Sequence, residues 1–352
     1  MRATRLLDDD WGGASFQRAG DTLLVVVDTE SEPGTFDDRV LAAVFDLRSR
    51  RPLSPVHSFD QPVRLGSLPR FGPEPVLAFT TATSLVVADM RDGSVLETLP
   101  LPDTLKPWRR HGECDLAVGR CGGRDLLFLH EHGEGLYGHW VRAVDLATGE
   151  PMPDLACSHY RYKEVSERLT LGHGYLAWPT TEETVEFWAD GFSVIDKPFV
   201  YVQRADDGSW VGKVGLYDGV PGVPEERAVE IAHAAGRTYL AEAGTIVTLP
   251  DLKPVFPKED PWVLVSRVTE WGGRPVAVLV RNPYSSQEPP VWLCHLFLDT
   301  DTPDVVVIPW EVPAEVHDLA ATPDGTIVVS SAEGVHVIEV DPQEAARAGR
   351  AL

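Results

Sequence analysis

The chain has 352 residues, of which 43% are hydrophobic and 24% charged, and its mean hydropathy is -0.11; a chain of this kind buries a sizeable core, which excludes intrinsic disorder. Its 31 Lys and Arg stand against 54 Asp and Glu, a net charge of -23. A field of that sign repels phosphate backbones and anionic lipid surfaces, and the one basic cluster, Lys106, Arg109 and Arg110 around Trp108, is too small to reverse it, so nucleic acid and membrane are excluded as partners.

The N-terminus reaches the acidic triplet Asp8-Asp9-Asp10 before any apolar stretch of signal-peptide length, and no run is long enough to span a bilayer. A cytoplasmic chain is expected, with Cys114, Cys121, Cys157 and Cys294 kept as thiols.

In chain order the predicted elements are almost all strands, and they recur. A short strand over Ala3 to Leu7 comes first and has no partner nearby. The first full unit has its second strand from Thr22 (TLLVVVD) and ends its third at Asp46 in DLRSRRPL. Later second strands begin at Pro75 (PVLAFTT), Arg124 (RDLLFLH), His173 (HGYLAW), Arg237 (RTYLAEA), Arg274 (RPVAVLV) and Gly325 (GTIVVSS), a period of about 50 residues that suits one propeller blade. Third strands again end on Asp in DMRDGSVL from Asp89 and DLATGEPM from Asp145, with PDLKPVF from Pro250 a looser copy. Asp suits that place because its side chain accepts from the backbone N–H groups that follow. The last unit runs from VHDLAA (Val316 to Ala321) through TIVVSS to VHVIEVD, and PQEAARAGRAL from Pro342 reads as a short helix or frayed tail.

These elements predict an all-β fold, a seven-bladed β-propeller of four-stranded antiparallel blades, with residues 1–342 as a single domain and 343–352 as a C-terminal tail. The seventh unit lacks a fourth strand and the leading strand lacks a partner. Supplying one with the other leaves no open edge, so the N-terminal strand is expected to close the ring.

Three segments resemble a known repeat. They are CDLAVGRCGGRDLLFLH with WVRAVDLATGEPM in the stretch Glu113 to Met152, VTEWGGRPVAVLVRN from Val268 to Asn282, and EVHDLAATPDGTIVVSSAEGVHVIEVD in the final unit. They resemble the WD-repeat unit of the bacterial, actinobacterial kind in a divergent form. No unit carries the Trp-Asp pair; Val144-Asp145 and Glu339-Val340 stand in that neighbourhood. The resemblance implies a rigid disc that holds partners, as a rule without catalysis.

Long insertions fall between the second and third strands of four units: TESEPGTFDDR, HEHGEGLYGH, PTTEETVEFWADGFSVIDK and RNPYSSQEPP. Read as loops, they crowd one face and bring together Glu32, Phe36, Asp37, Tyr137, Glu183, Phe187, Trp188, Asp190 and Tyr284. Aromatics among carboxylates suit a basic protein partner, so the expected role is a non-catalytic protein-protein interaction scaffold whose partner carries a basic segment.

The alternative is an enzyme of specialised metabolism, a lyase, cyclase or hydrolase working in the central funnel. It draws on the density of His111, Cys114, Cys121, His130, His132, His139, Cys157 and His159, with His130, His132 and His139 as the candidate metal set, because residues two apart on a strand share a side. The cysteines lack paired spacing, and neither a phosphate loop nor a nucleophile elbow occurs, so no metal and no cofactor is assigned. A quinone-dependent dehydrogenase ranks below both, since those propellers are exported.

Overall fold

The computed structural model describes residues 2–29, 39–81, 83–101, 116–132, 139–155, 157–159, 169–188, 191–215, 229–255, 263–281, 291–300, 305–312 and 316–348. Seven antiparallel sheets follow one another along the chain, and the fold is a seven-bladed β-propeller. Second strands start at Thr22, Val76, Arg124, Tyr175, Arg237, Arg274 and Thr326, within two residues of the positions expected. The chain forms two compact units: Gln17–Asp46 with Arg50–Asp218 holds blades one to four, and Met1–Phe16 and Leu47–Ser49 with Gly219–Leu352 holds blades five to seven. Blade one splits its fourth strand into Arg51–Pro52 and His57–Phe59. Among the described residues, blade five reduces its own to a single bridge, Val247 to Pro254.

The turns follow from the Asp residues. Asp89 Oδ1 accepts from Arg91 N at 2.7 Å and Asp145 Oδ1 from Ala147 N at 2.8 Å. Four residues after each Asp the chain must turn left-handed, and Gly93 (φ 71°) and Gly149 (φ 72°) do so without a Cβ clash. In blade one Arg50 occupies that place at φ 57°.

The second strands are buried on both faces, which is why they read as near-continuous apolar runs. In blade three, Leu127 and Leu129 pack with blade two, while Leu126 and Phe128 pack with blade four. In blade six, Val276, Val278 and Val280 pack with blade seven, while Ala277 and Leu279 pack with blade five. Each Val, Leu or Phe among these contributes about 1.5–3 kcal/mol by leaving water, so alternation fixes which neighbour a residue meets.

The N-terminal strand takes the place expected of it. Arg2–Leu7 pairs antiparallel with Gly334–Glu339, from Arg2 opposite Glu339 to Leu7 opposite Val335, and so completes the seventh sheet. The Arg5 guanidinium donates to the Glu333 carbonyl at 2.7 Å. Gly334 permits the approach: at φ 101°, a Cβ there would lie 2.3 Å from the Asp8 carbonyl oxygen. At the other end, Pro342–Ala348 is a helix capped by Asp341, whose Oδ1 accepts from Gln343 N at 2.8 Å. Its Ala345 and Ala346 are buried in the same cluster as Trp271 of blade six.

Each first strand lies at the end of its sheet and presents unpaired backbone N–H groups. Side chains of neighbouring first strands satisfy several of them. Gln17 Oε1 accepts from Leu65 N at 2.7 Å, Glu230 Oε2 from Val268 N at 2.9 Å, and Asp318 Oδ2 from Phe16 N at 2.8 Å. Asp318 carries more than the others. It is 2% exposed, its Oδ1 accepts from Leu319 N at 2.7 Å, and it pairs with the buried guanidinium of Arg267.

One buried polar group stands apart. His295, on the third strand of blade six, lies 5.3 Å from the Trp271 ring and 5.8 Å from the Phe297 ring. Neither of its ring nitrogens has a hydrogen-bond partner among the described residues. Burial pushes its pKa down to about 4, so the ring stays neutral at physiological pH.

Three outcomes are expected. Removing the first ten residues lowers the melting temperature by many degrees, and Gly334→Ala destabilises by about 2 kcal/mol or more in a denaturant titration. Asp318→Ala removes the buried carboxylate that balances the Arg267 guanidinium and accepts from Phe16 N, and costs about 3 kcal/mol or more by the same measurement. The unfolded chain protonates His295 near pH 6.5 and the folded chain only near 4. Stability therefore falls by up to about 3 kcal/mol as pH drops through that window, and His295→Leu flattens the fall in urea midpoints taken across it.

Candidate functional site

The connections between second and third strands hold the candidate residues, and one of them is not a loop. Residues 179–197 continue the second and third strands of blade four, so that Tyr175–Trp188 and Gly191–Arg204 pair in register over fourteen residues each. At about 3.4 Å per residue each arm spans roughly 48 Å, against about 20 Å for a six-residue strand such as Thr326–Ser331. The expectation of a loop is corrected here, for a reason visible in composition. TTEETVEFW and GFSVIDKPF alternate polar with β-branched or aromatic residues, which favours extended pairing.

Register divides the hairpin into two unlike faces. Val185 opposite Val194 and Phe187 opposite Phe192 occupy one face, with Glu183 opposite Asp196 beside them. The other face holds Glu182 opposite Lys197, Thr184 opposite Ile195, Glu186 opposite Ser193 and Trp188 opposite Gly191. Of the expected residues, Glu183 and Phe187 share the apolar face, while Trp188 lies on the opposite one. Between Thr181 and Lys197 there are five carboxylates and one lysine.

The root of the hairpin is rigid. Trp178, 1% exposed, stacks on Tyr201 at 5.8 Å between ring centroids. Tyr201 in turn meets Trp210 of the fourth strand at 5.1 Å, and Trp210 is 55% exposed. Trp210 is an exposed aromatic that pattern reading does not single out, because its neighbours Gly208 and Ser209 give no strand signal. Glu32, Phe36, Asp37, Tyr137, Asp190 and Tyr284 lie outside the described residues, as do Lys106, Trp108, Arg109 and Arg110. The segments carrying the first six all fall between second and third strands.

Blade three brings its histidines onto neighbouring strands. His132 is opposite His139, and His139 is opposite His159 on the fourth strand; two rungs inward, His130 is opposite Val141 and Val141 opposite Cys157. The set His130, His132 and His139 therefore shares one face, together with His159 and Cys157, which only strand pairing could add. Cys121, by contrast, is buried in the core between blades three and four. Burial, with the Asp206 carboxylate nearby, pushes its thiol up to about 11, so it stays protonated. Among the described side chains, no group of three or more His, Cys, Asp or Glu is placed to hold a metal ion. No helix among the described residues is long and apolar enough to cross a membrane.

No family model matches the chain, and no curated protein matches it. Similarity is found to solved structures. The β-propeller domain of the Trilobed protease from Pyrococcus furiosus aligns over 94% of this chain and 95% of its own at 10% identity, with a TM-score of 0.46. Drosophila Semaphorin 2a aligns over 97% of this chain and 75% of its own at 11% identity and a TM-score of 0.48. BamB from Moraxella catarrhalis aligns over 97% of this chain and 99% of its own at 12% identity and a TM-score of 0.41.

Leu176, Trp178, Val200 and Val202 are buried at the root of the hairpin, outside the segment Glu182–Lys197. Replacing Glu182–Lys197 by Asn-Gly therefore leaves the melting temperature within a few degrees of the parent in a calorimetric scan.

Proposed function

We propose that this chain is a cytoplasmic, non-catalytic interaction scaffold that docks another protein on the blade-four hairpin and the neighbouring connections between second and third strands. The hairpin itself is the observation that supports the reading. A pair of strands is prolonged well beyond the length of the other blades' strands, with Val185, Phe187, Phe192 and Val194 on one face. Apolar residues in such a place serve a partner better than they serve the fold.

Charge indicates which partner. The carboxylates at Glu182, Glu183, Glu186 and Asp196, in a chain of net charge -23, attract a basic segment and speed its encounter. The partner would carry Lys or Arg beside an apolar anchor that fits the Phe187 and Phe192 face. The divergent WD-like units over blades three, six and seven are consistent with such a scaffold. The enzymatic alternative is favoured by one observation, the alignment of His132, His139 and His159, which bears on metal binding before it bears on catalysis.

Affinity capture from extract of the native host, with parent and variant chains side by side, tests the reading. The parent recovers a partner whose binding weakens as salt screens the carboxylates, whereas the Asn-Gly replacement and the double variant Phe187→Ser, Phe192→Ser lose recovery about tenfold or more while keeping the parent's melting curve. Undiminished recovery by both variants contradicts the proposal.

A further inference from the structure

Five of the eleven histidines fall between His111 and His159, and strand pairing gathers four of these on two rungs of one sheet, separated by the rung of Glu131, Trp140 and Ser158. His132, His139 and His159 form the outer rung across the second, third and fourth strands of blade three. His130, Val141 and Cys157 form the second rung inward from it. Residues directly opposite in an antiparallel sheet share a face, and so do residues two apart on one strand. His130, His132, His139, His159 and Cys157 therefore lie on the same face, spread over three neighbouring strands.

That face begins where the core ends. Val141 of the inner rung and Phe128, two residues before His130, are buried with Leu176 and Trp178 of blade four. The patch is thus anchored by two packed blades rather than carried on a free loop. Opposed residues stand about 4.5–5.5 Å apart at Cα, and residues two apart on a strand about 6.7 Å. That spacing gathers the five residues into one small area of the sheet.

We infer that this patch of four histidines and one cysteine, assembled by the pairing of three strands, binds a divalent transition-metal ion of the zinc class. The residue types select that class. Nitrogen and sulfur suit zinc and its neighbours, whereas calcium and magnesium require oxygen, and the adjacent carboxylate Glu131 alternates to the opposite face. The set is also larger than any one-strand motif provides, since His159 and Cys157 are more than seventeen residues beyond His139 in sequence and reach it only through the sheet. The inference is independent of the docking role of blade four's hairpin.

The full-length chain, stripped with a chelator and dialysed, is titrated with zinc chloride by calorimetry, and with cobalt(II) as an optical probe. Uptake of about one equivalent is expected, with affinity lowered about 100-fold or more in His132→Ala, His139→Ala and unchanged in His233→Ala, a histidine of blade five. A change in the cobalt spectrum in Cys157→Ser would place the thiolate in the site. Should the double variant fail to fold, footprinting of the parent decides the matter. Zinc is expected to protect His130, His132, His139 and His159 from carbethoxylation and to leave His233 reactive. Absence of saturable uptake by the parent, uptake undiminished in a folded double variant, or no protection of these four residues would overturn the inference.

Discussion

A sheet that stands on edge beside its neighbours leaves the backbone of its first strand half unpaired, and the whole architecture depends on answering those N–H groups. Here the answers come from side chains one blade away. Gln17 serves Leu65, Glu230 serves Val268 and Asp318 serves Phe16, while Ser67 and Gly119 meet directly as a parallel bridge. Each is a modest bond by itself, worth about 0.5–1.5 kcal/mol net. Their value lies in what an unanswered buried N–H costs, and in the register they impose between neighbouring blades. Asp318 is the most loaded of them, because a dry carboxylate must also balance the Arg267 guanidinium.

The packing between blades depends on that register. Alternate residues of one strand belong to different interfaces, as Val278 and Leu279 do, so a slip by one residue would exchange the partners of every side chain in the strand. The same rule places the functional candidates. It brings His159 beside His139 and puts Phe187 and Trp188 on opposite faces of one hairpin.

The fold was largely legible because its signals are local. An Asp followed four residues later by Gly, at Asp89 to Gly93 and Asp145 to Gly149, marks turns directly in the sequence, as apolar runs such as LLFL and VAVLV mark strands. The closing strand was legible by default, since Ala3 to Leu7 had no local partner and the seventh unit was one strand short. The latches were not, because Gln17, Glu230 and Asp318 act across 48, 38 and 302 residues and nothing nearby marks them as acceptors. The blade-four hairpin was misread for a different reason. Its polar residues resembled loop composition, while the decisive evidence, Val185 matching Val194 and Phe187 matching Phe192, lies in a symmetry that composition alone conceals. In blade three the clustering of histidines was plain, but which of them share a face required knowing that Cys157–His159 forms the fourth strand.

Residue-resolved hydrogen exchange on the native chain tests most directly whether first strands are joined through side chains. The amides of Phe16, Leu65 and Val268 lie on edge strands, and they should exchange as slowly as the sheet amides of Leu127 or Val278 if their bonds to Asp318, Gln17 and Glu230 hold in solution. Exchange of these three at the rate of exposed turn amides would contradict the account.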